Sequence, residues 1–403
     1  MKFSKLSQLF LVSTIGLLVA TLLTACQIIT IDYVFVASSA GTGSTSAGQI
    51  ETFAVDSESG ALRTGAPKVS SGGVGPVSMA LTSDYANLYV ANRGNNSVVH
   101  FTIASNGVLT AKESVTTSAT PVAVAVNTAN TFLYVITGTT SATLTEYPLA
   151  AGAIGNAASQ QSLVLPSFSG DTVVPTALTV LANNSDVYVS VVDQSAYNPG
   201  GTTTSNANPG WVFGFSVGAS GVLTTTAGSP YRAGVKPSGI QADPVNRFIY
   251  VTDYANNQMI GYAIQTNGSL SFLVNGPFKT GNQPSSIVID PRGLYIYIAN
   301  ALDSSVTGYS IALPTGTPSA IVNSNSSLLY ATDTKPVAIA VDPALGRFIY
   351  TANTLGNSVS GFRLTPDTGT LVTTQATPYP TGANPTALVI VPHGNHSLQS
   401  VTP

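Results

Sequence analysis

One seven-residue segment led by proline recurs seven times along the chain, and it constrains the fold more than any other feature. The copies read PVSMALT (76–82), PVAVAVN (121–127), PTALTVL (175–181), PSGIQAD (237–243), PSSIVID (284–290), PVAIAVD (336–342) and PTALVIV (385–391). Their leading prolines stand 45, 54, 62, 47, 52 and 49 residues apart. Such a period marks a repeat architecture, in which each unit buries its apolar face only against its neighbours. Most copies are followed by a turn such as Asp243-Pro244 or Asp342-Pro343, then by a strand ending in Tyr-Val-Ala-Asn or a variant of it. Those second strands end at 89–92, 134–137, 188–191, 250–253, 297–300 and 350–353. Third strands of alternating apolar residues follow, as at 98–103, 259–264, 306–311 and 359–364. A Gly-x-Leu turn then leads into a weaker outer strand, as at Gly107, Gly221, Gly268 and Gly369.

Four short strands in about 50 residues, with turn chemistry between them and no helical period, predict a β-propeller blade. The first strand of each unit is apolar on both faces, as a strand buried on both sides should be. Its third residue is small (Ser78, Ala123, Ala177, Gly239, Ser286, Ala338, Ala387) and its fourth is large (Met79, Val124, Leu178, Ile240, Ile287, Ile339, Leu388). Successive side chains point to opposite faces, so the small face of one blade can receive the bulky face of the next. The leading proline suits a strand start, where its missing N–H breaks no ladder bond.

The ends of the chain settle the closure. Phe35-Val36-Ala37-Ser38 reads as a second strand with no Pro-led strand before it, whereas 385–391 is a Pro-led strand with no partner after it. Joining them gives an all-β, seven-bladed propeller of four-stranded antiparallel blades over 31–392. The C-terminal strand completes the N-terminal blade and leaves no open edge. Residues 393–403 are expected to form a polar tail, and the ring is expected to be monomeric.

The first residues read as an address. Lys2 and Lys5 precede an apolar run from Leu6 to Leu23 that ends in Leu22-Leu23-Thr24-Ala25-Cys26. A basic start, an apolar middle and a small-residue exit describe a secretory signal. The exit resembles the bacterial lipobox, and Cys26 is the only cysteine in the chain. Residues 1–25 are therefore expected to be a lipoprotein signal peptide, with 26–30 a lipidated cysteine and short linker. The acyl chains would hold the mature protein on the membrane face of the bacterial envelope. Loss of Lys2 and Lys5 leaves 12 basic residues against 17 acids, a net charge of −5.

Composition narrows the chemistry. Only 8% of residues are charged and 44% are apolar, which argues for a packed fold. With 14 Lys and Arg against 17 Asp and Glu there is no basic field, so no nucleic-acid partner is expected. One cysteine and three histidines give no disulfide framework and no His/Cys metal motif. No P-loop, nucleophile elbow, His-Glu-x-x-His or EF-hand pattern occurs, and no cofactor is expected. Gly41-Thr42-Gly43 and Gly72-Gly73-Val74-Gly75 lack the spacing of phosphate loops and read as turns.

The Pro-x-x-Ile-x-x-Asp-Pro…Tyr-Val-Ala-Asn unit, clearest at 236–264, 283–311 and 335–364, resembles YVTN-type repeats and the seven-bladed lactonase family, including 6-phosphogluconolactonase-like proteins. The resemblance implies that loops entering first strands and leaving second strands line one mouth of the central channel. Matched by repeat position, that mouth carries Lys236, Gln283, Lys335 and Asn384, together with Asn92, Arg93, Asp253, Tyr254, Asn300, Asn353 and Thr354. Asp243, Asp290, Asp342, Arg247 and Arg347 fall on the opposite rim. The family also implies His, Glu and Arg side chains at the mouth for lactone opening, and here the chain departs from it. His100 falls in a third strand, His393 and His396 fall in the tail, and Glu51, Glu58, Glu113 and Glu146 map elsewhere. Asp253, Lys236 and Lys335 remain as weak catalytic candidates, with Arg93 beside them.

Residues 193–210 interrupt one hairpin with 18 residues, far beyond the 2–5 usual there. The insertion carries Tyr197 and borders Trp211, the only tryptophan, so both join the candidate ligand-binding set. Two functions compete. One is a lipid-anchored envelope module binding a protein, glycan or small carbohydrate across its rim, favoured by the missing base. The other is a hydrolase opening a sugar lactone at the mouth.

Overall fold

The computed structural model describes residues 29–40, 45–165, 172–194, 209–218 and 220–401. Their strands form seven antiparallel sheets. The innermost strands are Pro385–Pro392 for blade 1, then Pro76–Leu81, Pro121–Val126, Val173–Val180, Pro237–Ala242, Pro284–Ile289 and Pro336–Val341 for blades 2 to 7. Each inner strand packs on the next around a closed ring, and Pro385–Pro392 meets both Pro336–Val341 and Pro76–Leu81. In blade 1 the C-terminal strand pairs with Thr30–Ser38, Val34 facing Ile390 and Val36 facing Leu388. The expected closure is therefore the one observed.

The packing follows the small–large alternation. A Cβ on Gly239 would lie 3.2 Å from Ile287 Cγ2 of the next blade, so that blade's bulk fills the space. Clusters of buried aliphatic and aromatic residues span successive blades. One of them joins Val34 and Val36 of blade 1, Phe348 and Tyr350 of blade 7, and Leu388 and Ile390 of the closing strand.

Two features differ from the four-strand expectation. In six blades the outer position holds two short pieces, both paired to the third strand, such as Leu223–Thr225 and Tyr231–Arg232. Pro230, Pro277 and Pro378 sit between such pieces, where a residue without an N–H cannot continue a ladder. Gly72 and Gly73, read as turn residues, lie in the strand Val69–Val74 of blade 1.

The Tyr of the Tyr-Val-Ala-Asn motif staples the blades. The hydroxyls of Tyr89, Tyr188, Tyr250, Tyr297 and Tyr350 donate to the carbonyls of Gly152, Gly268, Gly316, Gly369 and Gly60, each in the following blade, at 2.6–2.7 Å. Each acceptor is the Gly of an outer turn. Gly268, for example, has φ +75°, a conformation open to glycine at little cost.

Tyr134 breaks the pattern, because Glu146 stands opposite it on the third strand, at the position of Gly214, Gly261, Gly308 and Gly361 in blades 4 to 7. Glu146 is wholly buried against Gly221, and neither its carboxylate oxygens nor the Tyr134 hydroxyl has a hydrogen-bond partner of normal geometry. Burial pushes this carboxyl up to about 7. The folded state therefore holds the proton more tightly than the unfolded chain does. The associated stability is fully present below about pH 4.5 and is lost as pH rises through 7. Glu146→Gln should remove that dependence and, at pH 8, raise stability by on the order of 2 kcal/mol. Paired melts at pH 5 and pH 8 check this: equal pH dependence in variant and wild type would contradict it.

Candidate active site at the channel mouth

Every inner strand carries a register shift next to its proline. A bulge of this kind re-aims one side chain. The re-aimed residues are Val77, Val122, Thr176, Ser238, Ser285, Val337 and Thr386, and all seven line the central channel. The channel cavity holds about 230 Å3, and no charged side chain is among its described lining residues. Three of its hydroxyls hold the ring. Ser238, Ser285 and Thr386 donate to the carbonyls of Pro284, Pro336 and Pro76 in the following blades, at 2.6, 2.8 and 2.7 Å.

The mouth is built from the residues that enter these strands. Gln283, Lys335 and Asn384 take left-handed φ of 55°, 60° and 53°, costly for residues with a Cβ unless the surroundings fix them. Here the previous blade's turn fixes them. Asn257 Oδ1 accepts the Gln283 N–H and Asn357 Oδ1 the Asn384 N–H, both at 2.8 Å, and Ser304 Oγ accepts the Lys335 N–H at 3.3 Å. Tyr254 donates its hydroxyl to Gln283 Oε1 at 2.7 Å, and Lys236 Nζ lies 4.9 Å from the centre of the Tyr254 ring. Lys236, Tyr254 and Gln283 thus form a continuous arc across blades 5 and 6. Lys335 and Arg93 are exposed, and Arg93 donates its backbone N–H to the Gly75 carbonyl beside the entry to blade 2.

The polar residues that end the second strands lie at this level but are buried. Asn92 bonds to Ser71, Asn300 to Ser305 and Thr307, and Asn353 to Ser358 and Ser360. Asn300 and Asn353 therefore tie their own blades together, and Asn92 ties blade 2 to the outer strand of blade 1. Asp253 is fully buried: Oδ1 accepts the N–H groups of Lys236 and Ala255, and Oδ2 accepts those of Val235 and the Gln258 amide. Two of these bonds hold the loop that presents Lys236, and the other two hold the turn into the third strand. Trp211 lies on the third strand of blade 4, outside the mouth, with the Arg232 guanidinium 3.8 Å above its ring. Tyr197 lies outside the described residues.

The histidines are elsewhere. His100 is buried between Glu113 and Asn87, at 3.0 and 2.8 Å. The expected polar tail contains a 3-10 turn, Gly394–Leu398, which buries His396 at the far end of the ring. There His396 Nε2 lies 3.1 Å from Asp342 and 3.4 Å from Asp32. Burial, reinforced by the Asp342 charge, pushes the Asp32 carboxyl upward. Sequence reasoning missed this cluster. One available signal was the repeat itself, since Asp243 and Asp290 bind Arg247 and Arg292 while Arg347 turns to the Ser57 carbonyl and leaves Asp342 to the histidine.

The structure is a closed seven-bladed ring with an uncharged channel and with Lys236, Lys335 and Arg93 beside the entries to its inner strands. The chain belongs to the lactonase family of seven-bladed β-propellers, whose family model matches residues 49–168 and 224–398. No curated protein sequence matches it. Among solved structures it is similar to a periplasmic gluconolactonase of Pseudomonas aeruginosa, at 17% identity and TM-score 0.72, covering 90% of this chain and 99% of that one. A putative 6-phosphogluconolactonase of Bacteroides fragilis is similar at 16% identity and TM-score 0.70, covering 90% and 98%. Another from Bacteroides uniformis is similar at 15% identity and TM-score 0.71, covering 90% and 100%. At these identities the likeness concerns the fold.

Proposed function

We propose that the channel mouth opens a sugar lactone to its hydroxy acid. The family match supports this, and the observation that carries it is the mouth itself, where Lys236, Lys335 and Arg93 stand around an uncharged channel. In the reaction a water oxygen bonds to the lactone carbonyl carbon, whose oxygen becomes an oxyanion. The bond from that carbon to the ring oxygen then breaks, and the ring oxygen leaves as a hydroxyl carrying a proton from the water. An ammonium or guanidinium group near the carbonyl oxygen stabilises the charge as it develops. An aldono-1,5-lactone is an activated ester that opens in water unaided, so oxyanion stabilisation and binding supply the catalysis asked of this site.

A second reading, a binding module without catalysis, is favoured by Asp253, whose two oxygens are both occupied by backbone and amide donors. Initial rates with glucono-1,5-lactone separate the two. Saturable turnover above the spontaneous rate is expected, and a rate equal to the spontaneous one would leave only binding.

The same proposal places the protein in the envelope, where phosphorylated sugar lactones are not made, so an unphosphorylated substrate is favoured. Cys26 and the leader before it lie outside the described residues. Their sequence supports lipidation, and Cys26→Ser should move the protein from the membrane fraction to the soluble one. A variant that remains membrane-bound would point to another anchor.

A further inference from the structure

The far end of the ring gathers three side chains that can each offer an electron pair to a metal. Asp32 is the third residue of the first described strand, Asp342 sits in the hairpin turn of blade 7, and His396 lies just past the closing strand. Their ligand atoms all lie within 4.8 Å of one another, and all three residues are buried. Both Asp32 oxygens lack a hydrogen-bond partner, although the residue is 0% exposed.

The histidine is oriented as a metal ligand would be. Its Nδ1 lies 2.8 Å from Gln399 Oε1, and its Nε2 points at Asp342 and Asp32, where a cation would take the place of the Nε2 proton. Metal-bound histidines are held in this way by an acceptor on the other ring nitrogen. Asp342 is held as well, Oδ1 accepting the Ala344 N–H at 2.9 Å and Oδ2 the Arg347 N–H at 3.0 Å.

We propose that Asp32, Asp342 and His396 bind one divalent cation of the zinc class, clasping the two ends of the chain across the seam of the ring. Zinc bonds of about 2.0–2.1 Å in a tetrahedron put neighbouring donor atoms about 3.3 Å apart. The observed Nε2 separations are 3.1 and 3.4 Å. One nitrogen and two carboxylates suit zinc better than calcium or magnesium, which take six or more oxygens. A cleft of about 220 Å3 is lined by Tyr33 and Ser397, the chain neighbours of Asp32 and His396, together with Tyr85, His393 and Gly394.

The test uses the mature chain, residues 26–403, stripped with a chelator and titrated with Zn2+ against a chromophoric competitor. One zinc per chain is expected, with Tm raised by about 3 °C or more when saturated. Asp32→Asn keeps the shape of the site and removes the unpartnered charge. It should fold, by circular dichroism, and lose zinc binding by more than about 10-fold. Gln399→Ala removes only the support of the imidazole and should weaken binding about 10- to 100-fold. Substoichiometric zinc with an unchanged melt, or an Asp32→Asn chain that binds as the wild type does, would overturn the site and leave a buried hydrogen-bonded clasp in its place.

Discussion

Removal of residues 384–403 should leave a chain that fails to form a stable ring. The deletion takes away the inner strand of blade 1, with Leu388, Ile390 and Val391 each less than a tenth exposed. Burial of a large aliphatic side chain contributes about 1.5–3 kcal/mol, so these three alone account for on the order of 6 kcal/mol. Total stabilities run about 5–15 kcal/mol. The deletion also opens both neighbouring faces. Val34 and Val36 lose the strand opposite them, and Thr386 no longer reaches the carbonyls of Ala37 and Pro76. The exposed edge of Thr30–Ser38 would then invite aggregation. The expected result is an insoluble product, or one melting far below the full chain; a truncation melting with the full chain would rule out closure by this strand.

The fold was legible because each part of the repeat records a physical requirement. The small third and large fourth residues of the inner strand record the tight packing near the axis, and the motif tyrosine records the hydroxyl reaching the next blade's Gly carbonyl. The surplus strand at one end and the missing one at the other recorded the closure. The site was legible only in outline. Repeat position brought Asn92, Asp253, Asn300 and Asn353 to the right end of the propeller, yet all four side chains are buried. Repeat position fixes height along the axis; the side chain's direction depends on local pairing. The bulge beside each proline escaped notice for the same reason, because a one-residue register shift leaves no mark in composition. The cluster of Asp32, Asp342 and His396 joins the first strand, the last blade and the final turn. Only ring closure brings those together, and the histidine lies beyond the last repeat.

The mouth carries the central claim, and its two lysines test it. Lys236 is held by Asp253 through its backbone and packs on Tyr254, whereas Lys335 is exposed on a left-handed turn. Neither ammonium supports the core, so Lys236→Ala with Lys335→Ala should preserve the melting temperature. Loss of a charged donor to an oxyanion costs about 100-fold or more in rate, a barrier increase of about 2.7 kcal/mol. The decisive measurement is the initial rate of glucono-1,5-lactone hydrolysis by purified residues 27–403, wild type against the double variant, after subtraction of the spontaneous reaction. Saturable wild-type turnover that falls about 100-fold in a folded double variant is the predicted result. Turnover unchanged by the two substitutions, or none in the wild type, would contradict the assignment of lactone opening to this mouth.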